Sequence, residues 1–192
     1  MRRIALVAMM SVGMASLAVA DELQVGLASL KVITNDRGEA RVLFRVDERI
    51  AIDDAIISRA VLSLPLSGAI EPRRIESRVY AISRDWAPRA VSWTDGWTRP
   101  GGDVHDRLYA NGTIDLQRSG SSLVYDVSSI LKESLENGVS SFGFLLTIRP
   151  ADGEGFRGED VARFANVGQG TLTLQYRQIP STRRDQARGS RG

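Results

Sequence analysis

The chain contains no cysteine and only one histidine, His105, among its 192 residues. Without cysteine there can be no disulfide, thiolate metal site, iron–sulfur cluster or cysteine nucleophile, so stability must come from a packed core. A single histidine excludes zinc sites built from several histidines and proton relays that need more than one histidine. With 43% hydrophobic and 25% charged residues, the composition is that of an ordinary folded domain. These shortages argue against most kinds of enzyme.

Long apolar runs are confined to the N-terminus. Arg2 and Arg3 precede an apolar stretch at residues 4–19, and small residues end that stretch at Ala20. This layout predicts a signal peptide over residues 1–20, with cleavage after Ala20 and a secreted or periplasmic mature protein. An uncleaved anchor is the alternative, but the run is shorter than the roughly 20 apolar residues that a spanning helix needs. We therefore expect no transmembrane segment after signal cleavage.

The charges are unevenly distributed along the chain. The formal net charge of +2 includes Arg2 and Arg3, so the mature chain is neutral. Residues 181–192 hold four arginines and one aspartate, which leaves residues 21–180 mildly acidic. An acidic body is a poor basis for nucleic-acid binding, so we expect no nucleic-acid partner. We expect the arginine-rich tail to be disordered, with a docking arm for anionic glycan or lipid as the alternative.

Most of the body shows the period of two that is typical of strands with one buried face. In the clearest run, Leu172, Leu174 and Tyr176 alternate with polar residues. Residues 35–38 carry the composition of a hairpin turn between the first two strands. The predicted strands are residues 25–33, 41–46, 59–66, 77–82, 123–127, 141–148, 161–166 and 171–177.

Only residues 128–137 have the pattern of a helix. Ser128 is the predicted cap of that helix, and Asn137-Gly138 is its predicted stop. Many short strands without alternating helices predict an all-β fold: a two-sheet antiparallel β-sandwich, jelly-roll-like, over residues 21–180. The connection from Thr94 to Ser122 shows no clear strand pattern, and such long loops are where sandwiches usually carry binding residues.

Several landmarks follow one another in a characteristic order. The most specific are Trp86 with Val91-Ser92-Trp93, followed later by Asp126-Val127-Ser128. In these features the chain resembles the DNRLRE domain family, a set of secreted jelly-roll β-sandwiches akin to carbohydrate-binding modules and loosely similar to the growth-factor propeptide fold. The resemblance covers about residues 25–178 and implies carbohydrate binding without catalysis. The chain departs from the family at Leu135, where members often have a tryptophan.

Aromatic residues make up only 6% of the chain, and all three tryptophans lie between residues 80 and 109. Aromatic rings suit sugars because the C–H faces of a sugar pack on their π surfaces. Trp86 and Trp93 are predicted to pack in the core, as aromatic residues near strand ends usually do. Trp97 lies among turn residues, which makes it the candidate for an exposed platform. The candidate ligand-binding residues are Trp97, Arg99, Asp103, His105 and Tyr109.

The remaining acid–base groups give weak signals. His105 beside Asp103 or Asp106 can be read as a base with its orienting carboxylate, but a lone histidine on a polar loop is usually solvated. We therefore predict no catalytic residue and no cofactor. Calcium is the open alternative, because acidic residues alternate with glycine in one segment that lacks the full spacing of a defined calcium loop. The weak calcium candidates are Asp152, Glu154 and Asp160.

The sequence therefore predicts an exported, non-catalytic β-sandwich that binds a cell-surface or extracellular polysaccharide, with an acidic or cell-wall glycan favoured. The alternative is a structural or adhesive envelope protein that contacts another protein through a sheet surface or the arginine-rich tail. A small hydrolase or lyase is a third hypothesis, and the few acid–base residues make it the least supported.

Overall fold

The computed structural model describes residues 21–46, 55–66, 75–117, 120–139, 141–150 and 169–178. Within these segments the chain forms nine strands and one short helix, which confirms the predicted all-β class. In chain order the elements are β1 (Asp21–Thr34), β2 (Ala40–Val46), β3 (Ala55–Pro65), β4 (Ile75–Ile82), β5 (Val104–Asn111), β6 (Thr113–Gln117), β7 (Gly120–Asp126), α1 (Ser128–Glu136), β8 (Phe144–Pro150) and β9 (Thr171–Gln178).

The described strands form one antiparallel sheet in the order β5-β4-β8-β2-β1-β9-β3-β7-β6. Strand β1 joins the two halves of this sheet, because residues 21–26 pair with β9 and residues 27–34 pair with β2. Near the start of the second stretch, between Ala28 and Lys31, the register with β2 shifts, and Ser29 there has a φ of 53°. We call β5-β4-β8-β2 the first limb and β9-β3-β7-β6 the second limb. Because β1 pairs with a strand of each limb, the limbs are parts of one sheet, and the predicted division into two separate sheets is not confirmed.

The main core lies between the two limbs of the curled sheet. Buried residues of both limbs belong to one continuous apolar cluster, and within it the rings of Phe44 and Phe144 stack with centroids 5.6 Å apart. Full burial of a large apolar side chain contributes about 1.5–3 kcal/mol, so this cluster is the main source of stability. Its largest fully buried members are Phe44, Leu62, Leu64, Leu123, Tyr125, Ile130, Leu146, Leu172 and Leu174.

The hairpin turn predicted at residues 35–38 is confirmed. The N–H of Gly38 donates to the carbonyl of Asn35 at 3.0 Å, and β1 and β2 pair on either side of the turn. The side-chain oxygen of Asn35 accepts from the N–H of Glu39 at 2.8 Å. Gly38 has a φ of 82°, a conformation that glycine adopts without a steric penalty.

Helix α1 is present where it was predicted, but Ser128 does not cap it. Val127 stands at the N-cap position, and no side chain caps the helix. The hydroxyl of Ser128 instead accepts from the N–H of Ala60 at 2.8 Å and donates to Asp126 Oδ1 at 2.5 Å. The bonds from the Ser128 hydroxyl and N–H hold the pKa of Asp126 below its ordinary value. Ser128 therefore ties the start of the helix to β3.

Several predicted features lie outside the described residues. They are the signal peptide at 1–20, the strand at 161–166, the tail at 181–192 and the calcium candidates Asp152, Glu154 and Asp160. Within the described segments, no helix combines the length and the apolar character needed to cross a membrane. No three histidine, aspartate or glutamate side chains of those segments come together as a metal site.

At Gly112 the chain passes directly from the first limb to the second. This residue joins β5, at the outer edge of the first limb, to β6, at the outer edge of the second. Its N–H donates to the carbonyl of Ser77 at 2.9 Å. A Cβ at this position would overlap the Ser77 hydroxyl and lie 2.7 Å from Cε1 of Tyr125. Because Ser77 and Tyr125 are both buried, only glycine fits at this crossing.

Replacing Gly112 therefore tests the crossing. We expect Gly112→Ala to lower the free energy of unfolding by about 1–3 kcal/mol, because the added methyl group overpacks a filled space. Urea denaturation followed by circular dichroism measures this change. Gly26→Ala is the matched control, since a Cβ at Gly26 would meet no atom within 4 Å. Equal stability of the two variants would contradict the argument.

Candidate functional site

Residues 83–103 form a long loop, here called the tryptophan loop because it carries all three tryptophans of the chain. The loop packs on the face of the first limb that points away from the main core. In β2, Val42 and Phe44 belong to the main core, whereas Leu43 points to the opposite face and contacts the loop. The second apolar cluster formed in this way contains Ile33, Leu43, Ile82, Trp86, Val91, Trp97 and Leu145.

Arg45 of β2 holds the start of the tryptophan loop. Its guanidinium donates to Asp85 Oδ1 and to the carbonyl of Trp86, each at 2.5 Å. It also lies over the ring of Trp86, 5.2 Å from the centroid. The indole N–H of Trp86 in turn donates to the carbonyl of Phe142 at 2.9 Å. Trp86 is therefore buried, as predicted, and is fixed from both sides.

Arg41 of β2 holds the end of the same loop. Its guanidinium donates to the carbonyl of Gly101 at 2.7 Å and lies 4.8 Å from the ring centroid of Trp93. Arg41 and Arg45 lie on the same face of β2 because alternate residues of a strand share a face. Cation–π contacts of this kind contribute about 0.5–2 kcal/mol, depending on desolvation. One strand thus anchors both ends of the loop.

Asp103 shapes the last turn of the tryptophan loop. The carboxylate accepts from the N–H and hydroxyl of Thr98 at 2.8 and 2.6 Å, and from the N–H of Arg99 at 3.0 Å. Asp103 is only 5% exposed, and the guanidinium of Arg84 lies 3.8 Å from its Oδ2. Burial acts to raise the pKa of Asp103, but these hydrogen bonds and the Arg84 charge outweigh it and hold the pKa below its ordinary value.

The five candidate binding residues do not form one exposed surface. Trp97 is 9% exposed and donates its indole N–H to the carbonyl of Ser92, so it offers no exposed platform, contrary to the expectation. Asp103 is buried in the turn described above. His105 is half-buried in β5. Arg99 is exposed, and Tyr109 is 42% exposed.

The connection from Thr94 to Ser122, expected to lack strands, contains β5 and β6. The register between β4 and β5 shifts between Tyr80 and Ile82, so the alternation of buried and exposed residues is interrupted. Because of this irregularity, the sequence of β5 does not show the alternation of apolar and polar residues by which a strand is predicted. The binding residues predicted for a loop therefore fall partly on a strand, and Tyr109 belongs to the surface of the sheet.

A groove of about 400 Å³ lies on the outer face of the first limb, beside the tryptophan loop. Strands β4 and β8 supply most of its floor, and residues 99–102 of the loop border it. We call it the arginine groove. Its lining residues are Arg41, Glu76, Arg78, Tyr80, Arg99, Pro100, Gly102, Val104, Asp106, Leu145, Thr147 and Arg149.

Strand register brings two arginines of the groove into one row. Arg41 of β2 pairs with Thr147 of β8, and Thr147 pairs with Arg78 of β4. Neighbouring strands lie about 4.8 Å apart, so the two arginines flank the threonine on one face. Arg149 follows Thr147 two residues later on the same strand and face. Three arginine positions therefore surround Thr147 on this face of the sheet.

An aromatic row lies beside these arginines. Leu145 pairs with Tyr80, and Tyr80 pairs with Tyr109. The rings of Tyr80 and Tyr109 are 5.7 Å apart, and the guanidinium of Arg78 lies 5.5 Å from the Tyr109 centroid. In the groove, Tyr80 and Leu145 therefore form an apolar strip beside the cationic strip of Arg78 and Arg149, and Tyr109 extends the apolar strip outside the lining.

The arginine groove holds four arginines and two carboxylates. Arg99 pairs with Asp106 at 3.5 Å. Among the described residues, Arg78 forms no ion pair with a carboxylate, although Glu76 lies two residues away in the same lining. Arginine remains protonated at all ordinary pH values, so these groups can bind an anion but cannot transfer a proton. The arrangement is suited to recognition of anions.

Most of the groove was missed by sequence reasoning, which selected only Arg99 and the adjacent Tyr109 from this region. A usable signal existed in β4, where Glu76, Arg78 and Tyr80 occupy alternate positions on one face. Its significance depends on the pairing of β4 with β8, which the sequence does not reveal. A scan against protein-family models and a search of curated proteins both find no match.

Acid should lower the free energy of unfolding, because protonation of Asp103 weakens the hydrogen bonds that hold the last turn of the tryptophan loop. Because the pKa of the folded state is depressed, the contribution of Asp103 to stability is complete above its ordinary pKa of 3.8 and is lost as the pH falls below that value. We expect Asp103→Asn to lower the free energy of unfolding at pH 7 by about 1–3 kcal/mol and to flatten its decline in acid.

Tryptophan fluorescence during urea denaturation at pH 7, 5 and 3 measures this effect, because all three tryptophans report on the loop. Asp36→Asn, at an exposed position in the hairpin turn, is the control and should leave both stability and its pH dependence unchanged. The same pH dependence in Asp103→Asn as in the unmodified protein would show that Asp103 does not anchor the loop.

Proposed function

We propose that this protein is an exported, non-catalytic binding protein whose arginine groove holds an acidic polysaccharide. The observation that carries the proposal is an open groove that is lined by Arg78, Arg149 and Tyr80, with the exposed ring of Tyr109 beside it. A chain of acidic sugars needs both surfaces, since each sugar has an apolar C–H face and an anionic substituent.

The arginines supply the affinity for anions. A guanidinium presents N–H donors in a planar fork that matches a carboxylate or sulfate, and such charged hydrogen bonds are stronger than neutral ones. Arg149 has 68% of its side chain exposed, and its contact with Glu39 is long, at 3.7 Å. Together with Arg78, it can reach a ligand without disturbing the tryptophan loop.

The tyrosines supply a surface for sugar rings. Tyr109 is one of the few large hydrophobic residues that are strongly exposed among those described. Its ring contacts both the ring of Tyr80 and the guanidinium of Arg78, and these contacts limit its rotamers. An aromatic ring held in this way binds at a small entropic cost. The predicted signal peptide and the resemblance to DNRLRE domains support the same proposal.

The test compares three single variants in calorimetry and affinity electrophoresis against a panel of acidic and neutral polysaccharides. We expect Arg78→Ala to weaken binding of an acidic polysaccharide about tenfold or more, as for loss of a hydrogen bond to a charged group. Tyr109→Ala should weaken it by a similar factor. Arg37→Ala is the matched control, because Arg37 is exposed in the hairpin turn and does not line the groove.

Circular dichroism and thermal unfolding show whether each variant keeps its fold, which is expected because Arg78 and Tyr109 are exposed. Absence of binding by the unmodified protein across the panel would exclude the proposal. An equal affinity of Arg78→Ala and Arg37→Ala would exclude the groove as the site. Self-association in light scattering, or co-purification with an envelope protein, would then favour the alternative of an adhesive or structural role.

A further inference from the structure

Two carboxylates form ion pairs with arginines of the groove: Asp106, which lines it, and Glu39, which lies outside its lining on the opposite side. Glu39 immediately precedes β2, and Asp106 lies in β5. Strands β8 and β4 separate β2 from β5, so the two sides are three strand spacings, or about 14 Å, apart. Each carboxylate contacts arginines that line the groove.

Glu39 is shared by two arginines. Its Oε1 lies 3.4 Å from the guanidinium of Arg41 and 3.7 Å from that of Arg149. Its Oε2 accepts from the side-chain amide of Asn35 at 3.3 Å, which orients the carboxylate. Since one carboxylate serves two cations, Arg149 is only partly neutralised.

Asp106 faces the arginine on the loop side. Its Oδ2 lies 3.5 Å from the guanidinium of Arg99, which also donates to the carbonyl of Val104 at 3.3 Å. The side chains of Arg99 and Asp106 are 58% and 72% exposed. Exposed pairs of this kind are weak, and an incoming anion can replace the carboxylate as the partner of Arg99.

We propose that Glu39 and Asp106 are specificity-determining residues that compete with the anionic groups of the ligand for the groove arginines. This inference rests on the proposed function. A single anionic sugar gains little at Arg99 or Arg149, because it must displace an internal carboxylate. A chain with several charges binds Arg78, which among the described residues forms no ion pair with a carboxylate. Other charges of the same chain then replace Glu39 and Asp106 as the partners of Arg149 and Arg99. The groove therefore selects a polymer over a monosaccharide.

The same contacts have a second interpretation, in which Glu39 and Asp106 merely position the arginines. The two interpretations predict opposite effects of removing a carboxylate. Competition predicts tighter binding of an acidic polymer, whereas positioning predicts weaker binding. Asp106→Asn gives the clearer answer, because Asp106 is exposed and contributes little to stability.

The experiment measures binding of a polyuronate, of its monosaccharide and of the same polymer with its carboxylates reduced to alcohols. We expect Asp106→Asn and Glu39→Gln each to bind the polyuronate about two- to fivefold more tightly, the range typical of an exposed ion pair. Neither variant should change the weak binding of the reduced polymer. Asp36→Asn, which removes an equal charge outside the groove, should bind like the unmodified protein.

A double-mutant cycle separates competition from a general change of charge. In an Arg99→Ala background, Asp106→Asn should have no further effect, because the guanidinium for which it competes is gone. Weaker binding by Asp106→Asn, or the same gain with and without Arg99, would overturn the inference while the proposed function stands. Absence of binding by the unmodified protein and all variants would remove the proposed function and this inference together.

Discussion

The first limb of the sheet carries apolar residues on both faces, and the apolar part of its outer face must be covered. Val42 and Phe44 point to the main core, but Leu43 on the same strand points away from it and is equally buried. A half-exposed sheet would leave such residues in water. Burial of Leu43 beneath the tryptophan loop removes that cost, and the two flanking arginines of β2 fix the loop in place.

The same arrangement explains where the arginine groove lies. The tryptophan loop covers only the part of the outer face that carries the second apolar cluster, and its edge at residues 99–102 borders the rest. Beyond that edge the strands change character, because Thr147 and Arg149 follow Leu145 on the face that the loop leaves open. Arginine therefore has two roles on one sheet: Arg41 holds the loop to its floor, and Arg78 is the residue that we propose binds a ligand.

The parts of the fold that depend on local pattern could be predicted from the sequence. Leu172 and Leu174 alternate with polar residues and lie in β9, and residues 35–38 form the expected turn. Contacts between distant segments could not be predicted. Trp97 lies in a turn-rich segment that normally stays at the surface, and it is buried because Leu145, far along the chain, belongs to the same cluster. The groove was equally hidden, since its row of Arg41, Thr147 and Arg78 exists only through strand register.

Arg99 belongs both to the anchored loop and to the lining of the groove. Its backbone N–H is bound by the carboxylate of Asp103, and its guanidinium is bound by the carboxylate of Asp106. The first bond is part-buried and fixes the backbone of Arg99, whereas the second is exposed and, in the proposed function, is the bond that an anion replaces. Stability and the proposed recognition thus depend on two carboxylates that are three residues apart and differ in burial. A protein that binds a polyanion needs this separation, because a ligand strong enough to displace Asp106 must leave the bonds of Asp103 intact.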